Sequence, residues 1–383
     1  MKKAIVILAA ALLLAACADA PGDVVSRSEG SERSDSAEVS EPAPGGEQVT
    51  ERISPSELKA ADAAAAERIK GRKYGNLKFA DTFSVNAADA PELGVYAAAK
   101  RTDLSDNAEA VARAYFGEGL DASNLVRSSQ PDDPVKAVCE QDGVKLNVAE
   151  NSLFIQNLSA ENAGRTYSND DRAEQVYEVT DAFADSPLAF ESGEDTVKSL
   201  ADMNAGFIDG LAALGFEYRP FAAASLTSEA RGTKNTVVMT YSSCFKGIPV
   251  FNLAYNTKNG EAPDFRYSLV ESNAAVFDAP GRLCSLLLTS TYEETEKLSA
   301  AESIISPDYA VEAAGRELAE YLDLTARRLD LTYLPVFPED APEGDNSRVT
   351  MTPCWLLSFD LQPLREHYAL IDAQTGRVTY FQP

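Results

Sequence analysis

The first seventeen residues constrain the chain most, because they decide which part of it is available to fold. Lys2 and Lys3 precede an apolar run from Ala4 to Ala16. A helix of these thirteen residues spans about 20 Å, against the roughly 30 Å of a bilayer core. The charge and the length together predict the apolar part of a secretory signal rather than a membrane-spanning helix. The folded protein is therefore expected to begin after this segment.

The apolar run ends in Leu14-Ala15-Ala16-Cys17, which resembles the lipobox of bacterial lipoproteins. In that family the signal is cut before the cysteine, and the cysteine carries a diacylglyceryl group. The resemblance implies a signal peptide over residues 1–16, cleavage between Ala16 and Cys17, and lipidation of Cys17. Acyl chains acting together hold a soluble domain stably at a membrane. We therefore expect the chain to contact a lipid bilayer through acylated Cys17, on the extracytoplasmic face of the cell membrane.

Acidic residues outnumber basic ones in the sequence as a whole. Lys+Arg 34 against Asp+Glu 60 gives a formal net charge of −26. Such a surface repels nucleic acid and anionic headgroups and favours cationic partners, so no nucleic-acid partner is expected. No stretch spaces its carboxylates as a calcium loop does, and Asp170, Asp171 and the acidic segment 339–345 are predicted to be solvated turns.

Composition divides the chain after the signal. Residues 17–52 are rich in Ser, Glu, Gly, Pro and Asp with few bulky side chains, which predicts a disordered acidic tether after the lipidated cysteine. A tether of this length reaches about 30 Å on average. Three α+β modules are expected beyond it: an N-terminal module over 53–190, a central module over 191–295 and a C-terminal module over 296–383.

Each module begins with helical periodicity followed by strand-like runs. Helices are predicted at Ser56–Lys70 and Asp106–Phe116 in the first module, at Thr196–Leu214 in the second, and from Ser306 to near Leu324 in the third. An Asp-Gly pair at Asp142 predicts a hairpin turn. The strand-like runs favour antiparallel pairing. The predicted class is therefore α+β, with several modules of a helix packed on an antiparallel sheet.

Four cysteines remain once Cys17 is assigned to lipidation, and no pair has the C-x-x-C spacing of a zinc or redox site. All four lie within apolar, strand-like runs: Cys139, Cys244, Cys284 and Cys354. An even number in an exported protein permits three disulfide connectivities. Buried free thiols are equally compatible with this sequence.

The C-terminal module contains motifs of a known family. Its helix start Ser306-Pro307-Asp308, the strand around Pro353-Cys354-Trp355 and the ending Asp372-Ala373-Gln374-Thr375-Gly376-Arg377-Val378 resemble a PepSY-type domain. The segment Gly247-Ile248-Pro249-Val250-Phe251 is similar to the matching strand of YycI- and YycH-type exported regulators. The whole layout also resembles uncharacterised lipoproteins of anaerobic Firmicutes. The resemblance implies a helix on a three- to four-stranded antiparallel sheet, and a role in regulating a peptidase or sensor protein by binding.

Catalytic motifs are not found in the sequence. A serine or cysteine triad would have to use His367, which is the only histidine and lies at the start of a predicted strand. A zinc hydrolase of the HExxH type needs two histidines, and neither nucleotide-binding glycine motif is present. We therefore expect a non-enzymatic protein without catalytic residues, metal or cofactor, which binds a protein or peptide in the cell envelope. The alternatives are a solute- or envelope-component-binding lipoprotein and a carboxylate-based hydrolase.

Overall fold

The computed structural model describes residues 52–87, 92–160, 172–178, 196–228, 233–251, 254–256, 264–266, 273–278, 282–289, 291–320, 323–337, 347–359 and 368–381. The predicted signal peptide, the lipobox with Cys17 and all of the predicted tether before residue 52 lie outside these ranges.

The four predicted helices are present. They are α1 (Leu58–Ile69), α2 (Ala108–Phe116), α3 (Val197–Ala213) and α4 (Pro307–Leu318), with short 3-10 turns at Pro55–Glu57, Gly117–Gly119 and Ala122–Asn124. Side-chain caps fix two of the starts: Thr196 accepts a hydrogen bond from the Ser199 amide, and Ser306 accepts one from the Tyr309 amide. Helix α4 ends at Leu318, earlier than predicted, because the chain enters a long strand at Leu324.

Strands make up most of the remaining structure. They are β1 (Arg52–Ile53), β2 (Lys73–Tyr74), β3 (Leu77–Asn86), β4 (Gly94–Lys100), β5 (Leu125–Arg127), β6 (Ala137–Gln141), β7 (Val144–Val148), β8 (Ser152–Asn157), β9 (Arg172–Glu178), β10 (Tyr218–Ser228), β11 (Thr233–Phe245), β12 (Ile248–Pro249), β13 (Ala254–Asn256), β14 (Asp264–Arg266), β15 (Asn273–Asp278), β16 (Arg282–Thr289), β17 (Tyr292–Ala300), β18 (Ile304–Ile305), β19 (Leu324–Phe337), β20 (Arg348–Ser358), β21 (Tyr368–Asp372) and β22 (Val378–Phe381). Mixed helix and strand of this kind confirms the α+β class.

Two sheets organise these strands. Sheet 1 contains β2–β4, β13, β14, β17 and β19–β22, with the adjacent strands β19 and β20 at its centre. Sheet 2 runs in the order β5-β6-β7-β8-β16-β15-β11-β10-β9, and β12 pairs with β11. Sheet 2 is antiparallel, as predicted, whereas β19 of sheet 1 pairs in parallel with both β3 and β13. Parallel pairing of β3 with β19 joins segments from opposite ends of the chain.

The sheets group the strands differently from the three predicted modules. Sheet 1 takes β3 and β4 from the range 53–190 and β19–β22 from the range 296–383. Sheet 2 takes strands from 53–190 and from 191–295. The pairing between distant segments is not encoded in local periodicity, so composition along the chain could not indicate it.

Helices α1 and α4 cover one face of sheet 1 and enclose its main core. The sole tryptophan, Trp355, is fully buried there, and its indole N–H donates to the Ile305 carbonyl at 3.0 Å. Between the two helices, the Arg68 guanidinium donates from Nε and Nη2 to the carboxylate of Asp308, at 3.2 and 2.6 Å. Asp308 is 4% exposed, and the fork of two hydrogen bonds compensates for burying its charge.

Helices α2 and α3 cover one face of sheet 2 in the same way. Their core contains Leu200 and Leu211 of α3 with Met239 and Phe277 of the sheet. The buried Asn204 side chain donates to the Tyr241 hydroxyl at 3.0 Å, which satisfies a polar group inside this core. Sheet 2 therefore has its own hydrophobic core, separate from that of sheet 1.

An aromatic cluster joins sheet 1 to sheet 2. Phe245, at the end of β11 in sheet 2, packs edge-on against Tyr96 and Tyr333 of sheet 1, with ring centroids 5.6 and 5.3 Å away. Arg101, just after β4, stacks over Phe216 at 3.9 Å and donates to the Gly215 carbonyl at 2.6 Å. The two sheets are thus connected by buried contacts as well as by the chain itself.

Candidate functional site

Most sequence-predicted site residues fall outside the described part of the chain. This applies to Ala16 and Cys17 of the lipobox, to His367, and to the acidic segments at 170–171 and 339–345. Within the described ranges, no group of three or more His, Cys, Asp or Glu residues could hold a metal ion. No helix among these residues is long and apolar enough to cross a membrane.

The four cysteines are described, and each is a buried free thiol. Burial raises the pKa of Cys244 and of Cys284 to about 12, and it also raises the pKa of Cys139 and Cys354. A thiol with a raised pKa is a poor nucleophile and a poor metal ligand at neutral pH. Of the two possibilities left open by the sequence, the structure has free thiols rather than disulfides.

Local hydrogen bonds account for the turn of the C-terminal hairpin at Asp372–Gly376. The Asp372 carboxylate accepts from the amides of Gln374 and Thr375 at 2.9 and 2.8 Å, and Gly376 has φ of 76°. Turn chemistry at Asp372 and Gly376 therefore accounts for this part of the PepSY-like motif.

Strand β17 is the most exposed of the strands whose side-chain burial the structure describes. Every side chain from Glu293 to Ala300 is exposed, on both faces of the strand. It pairs along one edge with β4, and no strand in the described ranges pairs with its outer edge. Residues 292–300 lack the apolar alternation of a half-buried strand, so the sequence analysis did not predict β17.

Charges along β17 determine what this edge attracts. Glu294 is paired with Lys246 at 2.7 Å, and Lys246 also contacts Glu92 at 3.2 Å. The hydrogen bond with Glu294 raises the pKa of Lys246, so this lysine stays charged. Glu293 and Glu296 are exposed along the same strand, as is the cation Lys297, whose ammonium lies 5.7 Å from the centre of the Tyr96 ring. The strand itself carries three acids and one base, so the edge offers backbone hydrogen-bonding groups and a net negative charge.

Two register shifts interrupt the pairing of β17 with β4, between Glu294 and Glu296 and between Lys297 and Ser299. Bulges and charges are features that keep an edge strand from pairing with a copy of itself. Acidic residues repel an identical acidic strand but attract a basic one. The edge is thus protected against self-association without being closed to a cationic segment.

A second polar arrangement lies where sheet 1 meets α1 and sheet 2. Its members are Asp62, Asn86, Arg328 and Asp330, which we call the Asp62–Arg328 cluster. Asp330 accepts from Asn86 Nδ2 at 2.8 Å and from Arg328 Nε at 2.5 Å. The Arg328 guanidinium stacks over Phe221 of β10 at 4.1 Å, so the cluster also contacts sheet 2. Sequence reasoning missed it because its members come from α1, β3 and β19.

Comparison with known proteins addresses the fold alone. No protein-family model and no curated protein sequence matches the chain. Among solved structures, the chain is similar to an uncharacterised protein from Eubacterium rectale ATCC 33656, with 14% sequence identity and a TM-score of 0.52. The match covers 80% of this chain and 91% of the other. The likeness therefore extends over most of both chains.

Proposed function

We propose that this protein is a lipoprotein of the cell envelope that binds a basic, extended segment of another protein. Lipidated Cys17 anchors it to the extracytoplasmic face of the cell membrane, and the residues between Cys17 and strand β1 form the tether. Its role is regulatory and non-catalytic, with a peptidase or a sensor protein as the class of partner.

The exposure of β17 carries this proposal. Edge strands are normally short or covered by a loop or helix, because their free N–H and C=O groups pair readily with other chains. Strand β17 (Tyr292–Ala300) is instead nine residues long, and its eight side chains from Glu293 to Ala300 are exposed. A partner strand gains backbone hydrogen bonds there, and its lysines or arginines meet Glu293 and Glu296.

The arrangement of α4 and β19–β22 supports the PepSY-like part of the proposal. These four strands pair antiparallel in sequence order, and α4 packs against both β21 and β22. A helix on a four-stranded antiparallel sheet is what the resemblance implies for residues 296–383. In this protein the same sheet continues from β20 through β4 to the exposed β17.

Photo-cross-linking on intact cells tests the binding edge. A photoreactive amino acid at Thr295 of β17 is expected to capture one reproducible protein, and sequencing of the cross-linked peptide should find a segment rich in Lys or Arg. The same amino acid at Glu118, an exposed position on the sheet 2 half, is the matched control. The double variant Glu293→Lys/Glu296→Lys should lose the product, whereas Glu118→Lys/Glu140→Lys, which changes the charge equally, should keep it.

Identical products from both positions, or a product unaffected by the β17 variant, would show that the strand is not the binding edge. A small molecule that co-purifies with the folded protein, with no protein captured from Thr295, would favour the solute-binding alternative.

Cell fractionation tests the anchor separately. Cys17→Ala is expected to leave the folded modules intact and to release the protein from the membrane fraction, because the acyl chains are lost. If Cys17→Ala stayed membrane-bound after an alkaline wash, the proposed lipid anchor would be wrong, whatever the outcome of the cross-linking at β17.

A further inference from the structure

Asp62 connects α1 to the end of β3. One oxygen of its carboxyl, Oδ2, accepts a hydrogen bond from the Ala87 amide at 2.8 Å. The other, Oδ1, is buried and has no hydrogen-bond partner among the described residues. A buried carboxylate oxygen without a donor is unfavourable, because water no longer solvates its charge.

The neighbours of Asp62 do not neutralise it. On its own helix the nearby cation is Lys59, and on β19 the nearby charge is the carboxylate of Asp330. Arg328 pairs with Asp330, and Asn86 of β3 donates to Asp330 as well. On α4, the acid that faces α1 is Asp308, which pairs with Arg68. Asp62 therefore lies against a second acid whose hydrogen bonds are directed elsewhere.

From these contacts we infer that Asp62 is a proton-operated latch. Uptake of a proton removes the buried charge of Asp62 and its repulsion from Asp330, so α1 stays packed against the end of β3. Release of that proton restores the charge and loosens the packing. The proton comes from water and adds to Oδ1, the carboxyl oxygen that has no hydrogen-bond partner among the described residues. Because Arg328 stacks on Phe221, the latch acts at a contact between the two sheets.

The pH range over which the Asp62 carboxyl titrates follows from its burial and its neighbours. Burial raises the pKa of the Asp62 carboxyl from 3.8 to about 7, the Ala87 amide opposes the rise, and the charge of Asp330 adds to it. Between these two values the folded protein holds a proton that the unfolded chain has released. Stability therefore falls as the pH rises from about 4 to about 7, and the loss is complete above that range. The chain has one histidine, so few other groups titrate there.

Thermal unfolding of the full folded chain at about pH 5.5 and about pH 8 tests the latch. The wild-type midpoint is expected to fall by about 2–4 °C between these values. Asp62→Asn, which keeps an acceptor for the Ala87 amide but cannot titrate, should remove that fall and raise the midpoint at the higher pH. Glu67→Gln, at an exposed acid of the same helix, is the matched control and should retain the wild-type fall.

Hydrogen exchange localises the effect even if one variant folds poorly. After correction for intrinsic rates, residues 58–69 and 84–87 of the wild type should exchange several-fold faster at the higher pH. Asp62→Ser, a second variant without a titratable group, should not show this change. The inference is overturned if wild-type stability and exchange are flat over this range, or if Asp62→Asn keeps the wild-type pH dependence.

Discussion

At the scale of one residue, Trp355 shows which features could be predicted from the sequence and which could not. The strand around Pro353-Cys354-Trp355 was predicted and is present as β20, and the Trp355 side chain has no exposed area. Its hydrogen-bond partner, the Ile305 carbonyl, is 50 residues away and could not be predicted. By contrast, the helix starts near Thr196 and Ser306 were predicted correctly, because the side-chain caps that fix them have partners within three residues.

Replacing this tryptophan tests the role of its hydrogen bond. Trp355→Phe is expected to lower the free energy of unfolding by about 2–4 kcal/mol, because it leaves a cavity and an unsatisfied carbonyl. Urea unfolding followed by far-UV circular dichroism measures this, since the variant has no tryptophan left to fluoresce. Val126→Ala, at a side chain that is 64% exposed, should change stability by less than about 0.5 kcal/mol. Equal effects from the two variants would contradict the packing described for Trp355.

At the scale of elements, helices were predicted well and strand pairing was not. All four helices carry their signals locally, in periodicity, caps and terminal glycines. Nothing in the local sequence of β3 or β19 indicates that these two strands pair in parallel. Strand β17 lacks the buried apolar face by which a half-buried strand is recognised. The edge that carries the proposed function is therefore the element that a hydrophobic pattern is least able to detect.

Two glycines in α3 provide a matched test of how α2 and α3 pack. A Cβ at Gly210 would lie 2.7 Å from the Ala114 Cβ of α2, whereas a Cβ at Gly206 meets open space. Gly206→Ala should stabilise the protein by about 0.5–1 kcal/mol, because alanine has the higher helix propensity. Gly210→Ala should instead destabilise it, since the helices must separate. Chemical denaturation of both variants measures the difference, and a similar gain at the two sites would refute the close contact.

At the scale of the whole molecule, the junction around Phe245 is expected to make the two sheets unfold together. Phe245 is 3% exposed and lies between Tyr96 and Tyr333. The sequence predicted separate modules along the chain and gave no signal for this junction, because its rings come from β4, β11 and β19. Coupling between the sheets therefore has to be tested directly.

Differential scanning calorimetry tests that coupling. The wild type is expected to show one transition, and Phe245→Ala should lose about 3–5 kcal/mol at the junction and show two. Phe277→Ala removes an equally buried ring from the core of sheet 2 and leaves the junction intact, so it should lower the midpoint while keeping one transition. If both variants melt in a single transition, the junction does not couple the sheets.

Parallel pairing of β3 with β19 also constrains the order in which the protein can form. Asn86 and Asp330, which meet at this contact, are 244 residues apart in the chain. Synthesis proceeds from the amino end, so β3 emerges long before β19 exists, while β5 to β16 can already pair as sheet 2. Sheet 2 is therefore expected to form first. Strands β2 to β4 stay unpaired with β19 and β20 until those strands have been made. The last strands to be made close the sheet that the first ones begin.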